Sequence, residues 1–139
     1  MKPWIKFRER HGTAIEYEEN GYPCLIRIND FDILCGYVAI PISHPLYLYN
    51  LSTENLEVHG GITYEGFLKG DKNFWYIGFD CGHSWDFIPS FEKYRYSIAS
   101  WLEPFECQWR DERYIRNEIS YLIEQLEEMK DTKKPTSGN

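Results

Sequence analysis

The run Tyr76-Ile77-Gly78-Phe79-Asp80-Cys81-Gly82-His83-Ser84-Trp85-Asp86 starts apolar and ends in two carboxylates, a thiol, an imidazole and a hydroxyl. Upstream, Val58-His59-Gly60-Gly61-Ile62-Thr63-Tyr64 sets a second imidazole beside two glycines, and Ser43-His44-Pro45 holds a third. Imidazoles titrate near neutrality, and with carboxylates within reach they can exchange protons with a bound substrate or simply recognise it. We take His59, His83, Asp80 and Asp86 as candidate catalytic residues. His44, Tyr37, Tyr64, Tyr76 and Trp85 are candidate ligand-binding residues, the aromatic ones as stacking surfaces for a ring.

Other chemistries fit less well. Gly82-His83-Ser84-Trp85-Asp86 comes near the G-x-S-x-G turn of serine esterases, but Asp86 stands where the last glycine belongs. His83 is also the last histidine of the chain, so the order serine, acid, histidine cannot occur. A Cys81–His83 nucleophile pair is a further option, since a thiolate needs a base nearby. It is opposed by the place of Cys81 on the apolar side of its strand. His44, His59, His83, Asp80 and Asp86 could converge on an ion such as zinc. No H-E-x-x-H or other close ligand spacing supports that, so no metal and no cofactor is expected. There is no P-loop and no G-x-G-x-x-G, so phosphate contacts would fall to histidines, backbone amides or a few basic residues.

The elements that must position these groups follow from periodicity. Asn20-Gly21, flanked by Ala14-Ile15-Glu16-Tyr17 and Cys24-Leu25-Ile26-Arg27-Ile28, predicts a β-hairpin over residues 13–28. Residues 33–40 read as a buried strand ended by Pro41. Residues 41–55, with two prolines and two asparagines, read as a loop. Alternation predicts a strand from Leu56 to Tyr64 that turns Leu56, Val58, Ile62 and Tyr64 inward and His59 outward. A second strand, Asn73 to Cys81, turns Trp75, Ile77, Phe79 and Cys81 inward and Tyr76, Gly78 and Asp80 outward. If the two pair with matched apolar faces, His59 and Asp80 share the opposite face.

Residues 84–109 show no clear period, although 91–101 allow a short helix. Asp111 is the N-cap expected for an amphipathic helix to about Met129, with Ile115, Ile119, Leu122, Leu126 and Met129 on one stripe. Glu112, Glu118, Glu124 and Glu127 read as its solvated face. Strands first and a helix last predict an α+β domain over residues 1–130, an antiparallel sheet of about four to six strands with the helix on one face. Residues 131–139 read as a disordered tail.

Composition narrows the function classes. The 139 residues carry a formal charge of −7, which disfavours non-specific nucleic-acid binding and suits a basic protein partner. Aromatic residues make up 17% of the chain, with five Trp and eleven Tyr, more than a minimal core needs, which favours a binding role. No segment approaches the length of a membrane span and the N-terminus has no apolar signal core, so a cytoplasmic protein is expected. The four cysteines, Cys24, Cys35, Cys81 and Cys107, form no C-x-x-C pair and read as reduced thiols.

The succession Gly36-Tyr37-Val38, His44-Pro45, Val58-His59-Gly60-Gly61-x-Thr63-Tyr64 and Gly78-Phe79-Asp80-Cys81-x-His83-x-x-Asp86, followed by a terminal helix, resembles a group of small, mostly uncharacterised phage and bacterial proteins. The resemblance covers roughly residues 33 to 126 and points to His44, His59, Asp80, His83 and Asp86 as site positions; residues 84–110 are longer here than in the group. By analogy it implies a counter-defence role. The expected function is binding or hydrolysis of a nucleotide-like small molecule at a His/Asp site. The alternative is an acidic inhibitor, without enzymatic activity, that covers a basic surface of a host protein.

Overall fold

A computed structural model describes residues 1–49, 53–83, 86–90 and 108–132. Asn20 and Gly21 both take positive φ, 51° and 84°, which is the backbone a two-residue hairpin turn demands. They join β1 (Ala14–Glu19) to β2 (Tyr22–Ile28) in antiparallel register, with Glu19 opposite Tyr22. β3 (Leu34–Pro41) follows after Asn29, whose side-chain oxygen accepts from the amides of Phe31 and Ile33 and shapes the connection. β4 (Tyr64–Gly66) and β5 (Phe74–Asp80) complete a five-stranded antiparallel sheet in the order β1-β2-β3-β5-β4.

The fold is α+β. Among the described residues two α-helices accompany the sheet: α1 (Pro3–His11) and α2 (Glu112–Thr132). Asp111 caps α2 as its sequence predicts, its carboxylate accepting from the Tyr114 amide at 2.9 Å. Ile115, Ile119, Leu122 and Leu126 of α2 are fully buried, in one cluster with Ile26, Leu34, Val38, Ile40, Ile77 and Phe79 from the sheet. Gly36 lets the helix approach: a Cβ there would lie 2.7 Å from the Phe79 ring and 2.9 Å from Ile115 Cγ2. No helix among the described residues is long and apolar enough to cross a membrane.

The structure differs from the sequence reading in three places. The sequence periodicities predict no element over residues 1–12, yet Pro3 at the first turn starts α1. Phe7 of this helix enters the core and Arg8 binds Asp32 at 2.8 Å. The strand expected over Leu56–Tyr64 shrinks to β4, and residues 57–59 run along α2 instead. Gln125 explains this, because its side-chain amide satisfies both backbone groups of Glu57: Nε2 donates to the Glu57 carbonyl and Oε1 accepts from the Glu57 amide, each at 2.7 Å. Glu118, read as solvation, in fact accepts the His59 amide at 2.7 Å, and Glu112 pairs with Arg116 and His11. The short helix allowed over 91–101 and the tail from 133 lie outside the described residues.

His44 fastens the other end of α2. Its Nε2 donates to the Leu126 carbonyl at 2.7 Å and its Nδ1 accepts from the Leu46 amide at 3.0 Å, an arrangement that requires the neutral ring. Burial lowers its pKa from 6.5, against the opposing pull of the Leu126 carbonyl. Below pH 6.5 the unfolded chain therefore binds a proton that the folded chain refuses, and stability falls as pH falls. His44→Gln should flatten this part of the pH profile in denaturant titrations; an unchanged profile would rule out His44 as its source. Ile119→Ala should cost about 2–5 kcal/mol in the same assay, as a cavity at the centre of the helix stripe requires.

Candidate functional site

Asp86 has no exposed side-chain surface, and both of its oxygens are engaged. Arg110 Nε donates to Oδ1 at 3.1 Å. Around Oδ2 stand His59 Nε2 at 2.8 Å, the His83 amide at 3.1 Å and His83 Nδ1 at 3.4 Å. One carboxylate thus holds two imidazoles and a guanidinium from three separate stretches of chain.

Local structure puts each group there. His59 sits in a turn closed by a bond from the Gly61 amide to the Val58 carbonyl, and Gly60 and Gly61 take φ of 68° and 82°. Gly60 is required twice over: besides its positive φ, a Cβ would fall 2.0 Å from the His83 ring. Beyond β5, the Asp80 carboxylate accepts the Gly82 amide at 2.9 Å and steadies the approach to His83. Arg110 and Tyr114 lie four residues apart at the start of α2, the guanidinium stacked 4.7 Å from the phenol ring. Tyr114 Oη meets His59 Nδ1 at 2.7 Å.

These contacts define the protonation pattern. An ionised carboxylate only accepts, so His59 Nε2 donates to Asp86, and in the matching tautomer Nδ1 accepts a hydrogen bond from the Tyr114 hydroxyl. Burial, followed by the Glu118 charge, raises the Tyr114 pKa and keeps that hydroxyl protonated. His59 is a buried pivot with a side chain 5% exposed, whereas His83 at 21% and Arg110 at 23% reach solvent. The cluster therefore has an inner imidazole fixed on both nitrogens and an outer imidazole beside a cation.

The other candidates are distributed differently. His59 points toward α2 and not, as the alternation predicts, away from the apolar side with Asp80. Asp80 lies on the other face of the sheet and binds Thr63 Oγ1 at 3.1 Å. Tyr37 and Tyr64 share that face, edge to face at 5.8 Å over Gly78, with Arg27 5.6 Å from the Tyr37 ring. Tyr76, also there by alternation, is buried. His44 has both ring nitrogens committed to backbone, and Trp85 is outside the described residues. Cys81 is 2% exposed, and its thiol pKa is raised first by burial and then by Asp86, which opposes a nucleophilic role.

Arg110, Tyr114 and Glu118 escaped the sequence reading. Their signal was present as a row at steps of four beside the apolar stripe of α2, but nothing in that row alone distinguishes it from a solvated flank. Comparison with known proteins finds no matching family model, no matching curated protein and no matching solved structure.

Gly60→Ala tests the packing of the site. The left-handed backbone and the collision with His83 together should cost about 1–3 kcal/mol and shift the His83 imidazole resonances. Gly61→Ala, whose Cβ would meet nothing within 4 Å, should bring only the backbone strain and leave those resonances in place.

Proposed function

We propose that the Asp86-centred cluster is an acid–base site that binds or hydrolyses a nucleotide-like small molecule. The observation that carries the reading is the single buried carboxylate joining His59, His83 and Arg110. A phosphate-bearing ligand arriving from solvent would meet the guanidinium of Arg110 and the ring of His83 side by side. Arg110 supplies charge and planar donors for the anion, and His83 exchanges a proton with the ligand or with water. Asp86 orients both, and Tyr114 and Asp86 hold His59 beneath them. The resemblance to small phage and bacterial proteins supports a counter-defence setting, in which a nucleotide-type signal is bound or destroyed.

A second reading has its own support. Between the β1–β2 turn and α2 lies a groove lined by Glu19, Glu124, Glu127 and Glu128, which suits a basic surface on another protein. The two readings separate in one assay series: incubation with pooled nucleotides, read by turnover and by melting temperature. His83→Ala should reduce turnover by about 10²–10⁴-fold with little change in melting, because the ring is partly exposed. His59→Ala should lose both, since it strands buried partners at a cost of about 1–3 kcal/mol. Absence of any response to nucleotides, in turnover and in melting, would favour the acidic-surface reading.

A further inference from the structure

We infer that His59, His83 and Asp86 bind one divalent first-row transition-metal ion of the zinc type. The inference rests on the acid–base reading of the same cluster and names the ion that such a site would employ. Each of the three residues offers one ligand atom, and these atoms all lie within 4.8 Å of one another. A tetrahedral ion with N and O ligands at about 2.0–2.2 Å sets those atoms about 3.3–3.6 Å apart. Of the observed separations from Asp86 Oδ2, 3.4 Å to His83 Nδ1 falls within that spacing and 2.8 Å to His59 Nε2 is shorter, so the His59 contact opens on binding.

Three further features point the same way. The first is crowding: a carboxylate oxygen offers about two lone-pair directions, and three nitrogens face Oδ2. His83 Nδ1 stands farthest of the three from that oxygen, at 3.4 Å, and an ion between the rings would relieve the crowding. The second is the outer layer. Metal-bound imidazoles characteristically use their other nitrogen on a fixed polar group, as His59 Nδ1 does on Tyr114, and ligating carboxylates are themselves hydrogen-bonded, as Asp86 Oδ1 is by Arg110. On metal binding the single proton of neutral His59 shifts from Nε2 to Nδ1, which then donates a hydrogen bond to Tyr114 Oη.

The third is the ligand set. Two imidazoles and one carboxylate suit zinc, cobalt, nickel or iron and not calcium or magnesium, which favour oxygen throughout. Three protein ligands with the outer one near solvent leave a coordination position for water or substrate, the pattern of catalytic and not of structural sites. The fold should not depend on the ion, because the core joining α2 to the sheet is built of apolar side chains and none of the three ligands belongs to it.

The full-length protein, stripped with EDTA, should keep its far-UV circular dichroism and then take up one Co²⁺ per chain with visible d–d absorption that Zn²⁺ abolishes. His83→Asn, partly exposed and so tolerant of replacement, should remove that absorption, while Tyr114→Phe should weaken the affinity about 10–100-fold. His11→Asn, outside the cluster, should leave it unchanged. No absorption, or absorption that survives His83→Asn, would overturn the inference. Nucleotide turnover undiminished in EDTA by protein that takes up no Co²⁺ would overturn the ion while leaving the acid–base reading standing. Stoichiometric Co²⁺ lost in His83→Asn, without turnover of any nucleotide, would support the ion and count against hydrolysis.

Discussion

Burying the Asp86 carboxylate is the constraint on which the candidate site depends. Moving such an ion out of water costs several kcal/mol even after relaxation, and the cost is recovered only when good partners surround it. The chain meets this by bringing His59, His83 and Arg110 to one side chain with no exposed surface. Removing any of them leaves a charge or a polar ring without its partner, so the groups are coupled energetically as well as spatially. Tyr114, Glu118 and Gly60 are then needed to hold the partners in place and to let His83 approach.

The sheet and α2 set where this can happen. The helix must cover the apolar face of β2, β3 and β5, and Gly36 brings it close. That leaves one flank of α2 alongside the segment at residues 57–59. The flank supplies Gln125, Tyr121 and Glu118, which satisfy that segment's polar groups in place of a neighbouring strand. The histidine turn is therefore fastened to the helix, and the sheet edge at β4 stays short.

Much of this architecture was legible in the sequence. Asn20-Gly21, the buried run before Pro41, the alternation in Phe74–Asp80 and the capped stripe of α2 are local signals that the structure reproduces within a residue or two at most ends. Leu56–Tyr64 misled because alternation reports which residues are buried and not what buries them: Leu56 and Val58 do pack on the core, but in a segment bonded to helix side chains. The same limit applies to the site. His59, His83 and Asp86 stood out by residue type, and their convergence could not be read because His59 and Asp86 are 27 positions apart. Arg110 and Tyr114 were hidden in an ordinary helical row, and Asp80 was drawn into the site by a strand pairing that begins only at the end of its supposed partner.

The lacing of residues 57–59 to α2 also bears on the order in which the molecule assembles. The hairpin of β1 and β2 and its continuation into β3 close over short stretches of chain, and such contacts form early because little loop entropy is lost. The bonds between Glu57 and Gln125, separated by 68 residues, require almost the whole domain to be in hand. His59 is carried on that late-forming segment. During synthesis, the hairpins can begin to pair before α2 has emerged, whereas the His59–Asp86–Tyr114 constellation waits for the helix that carries Tyr114.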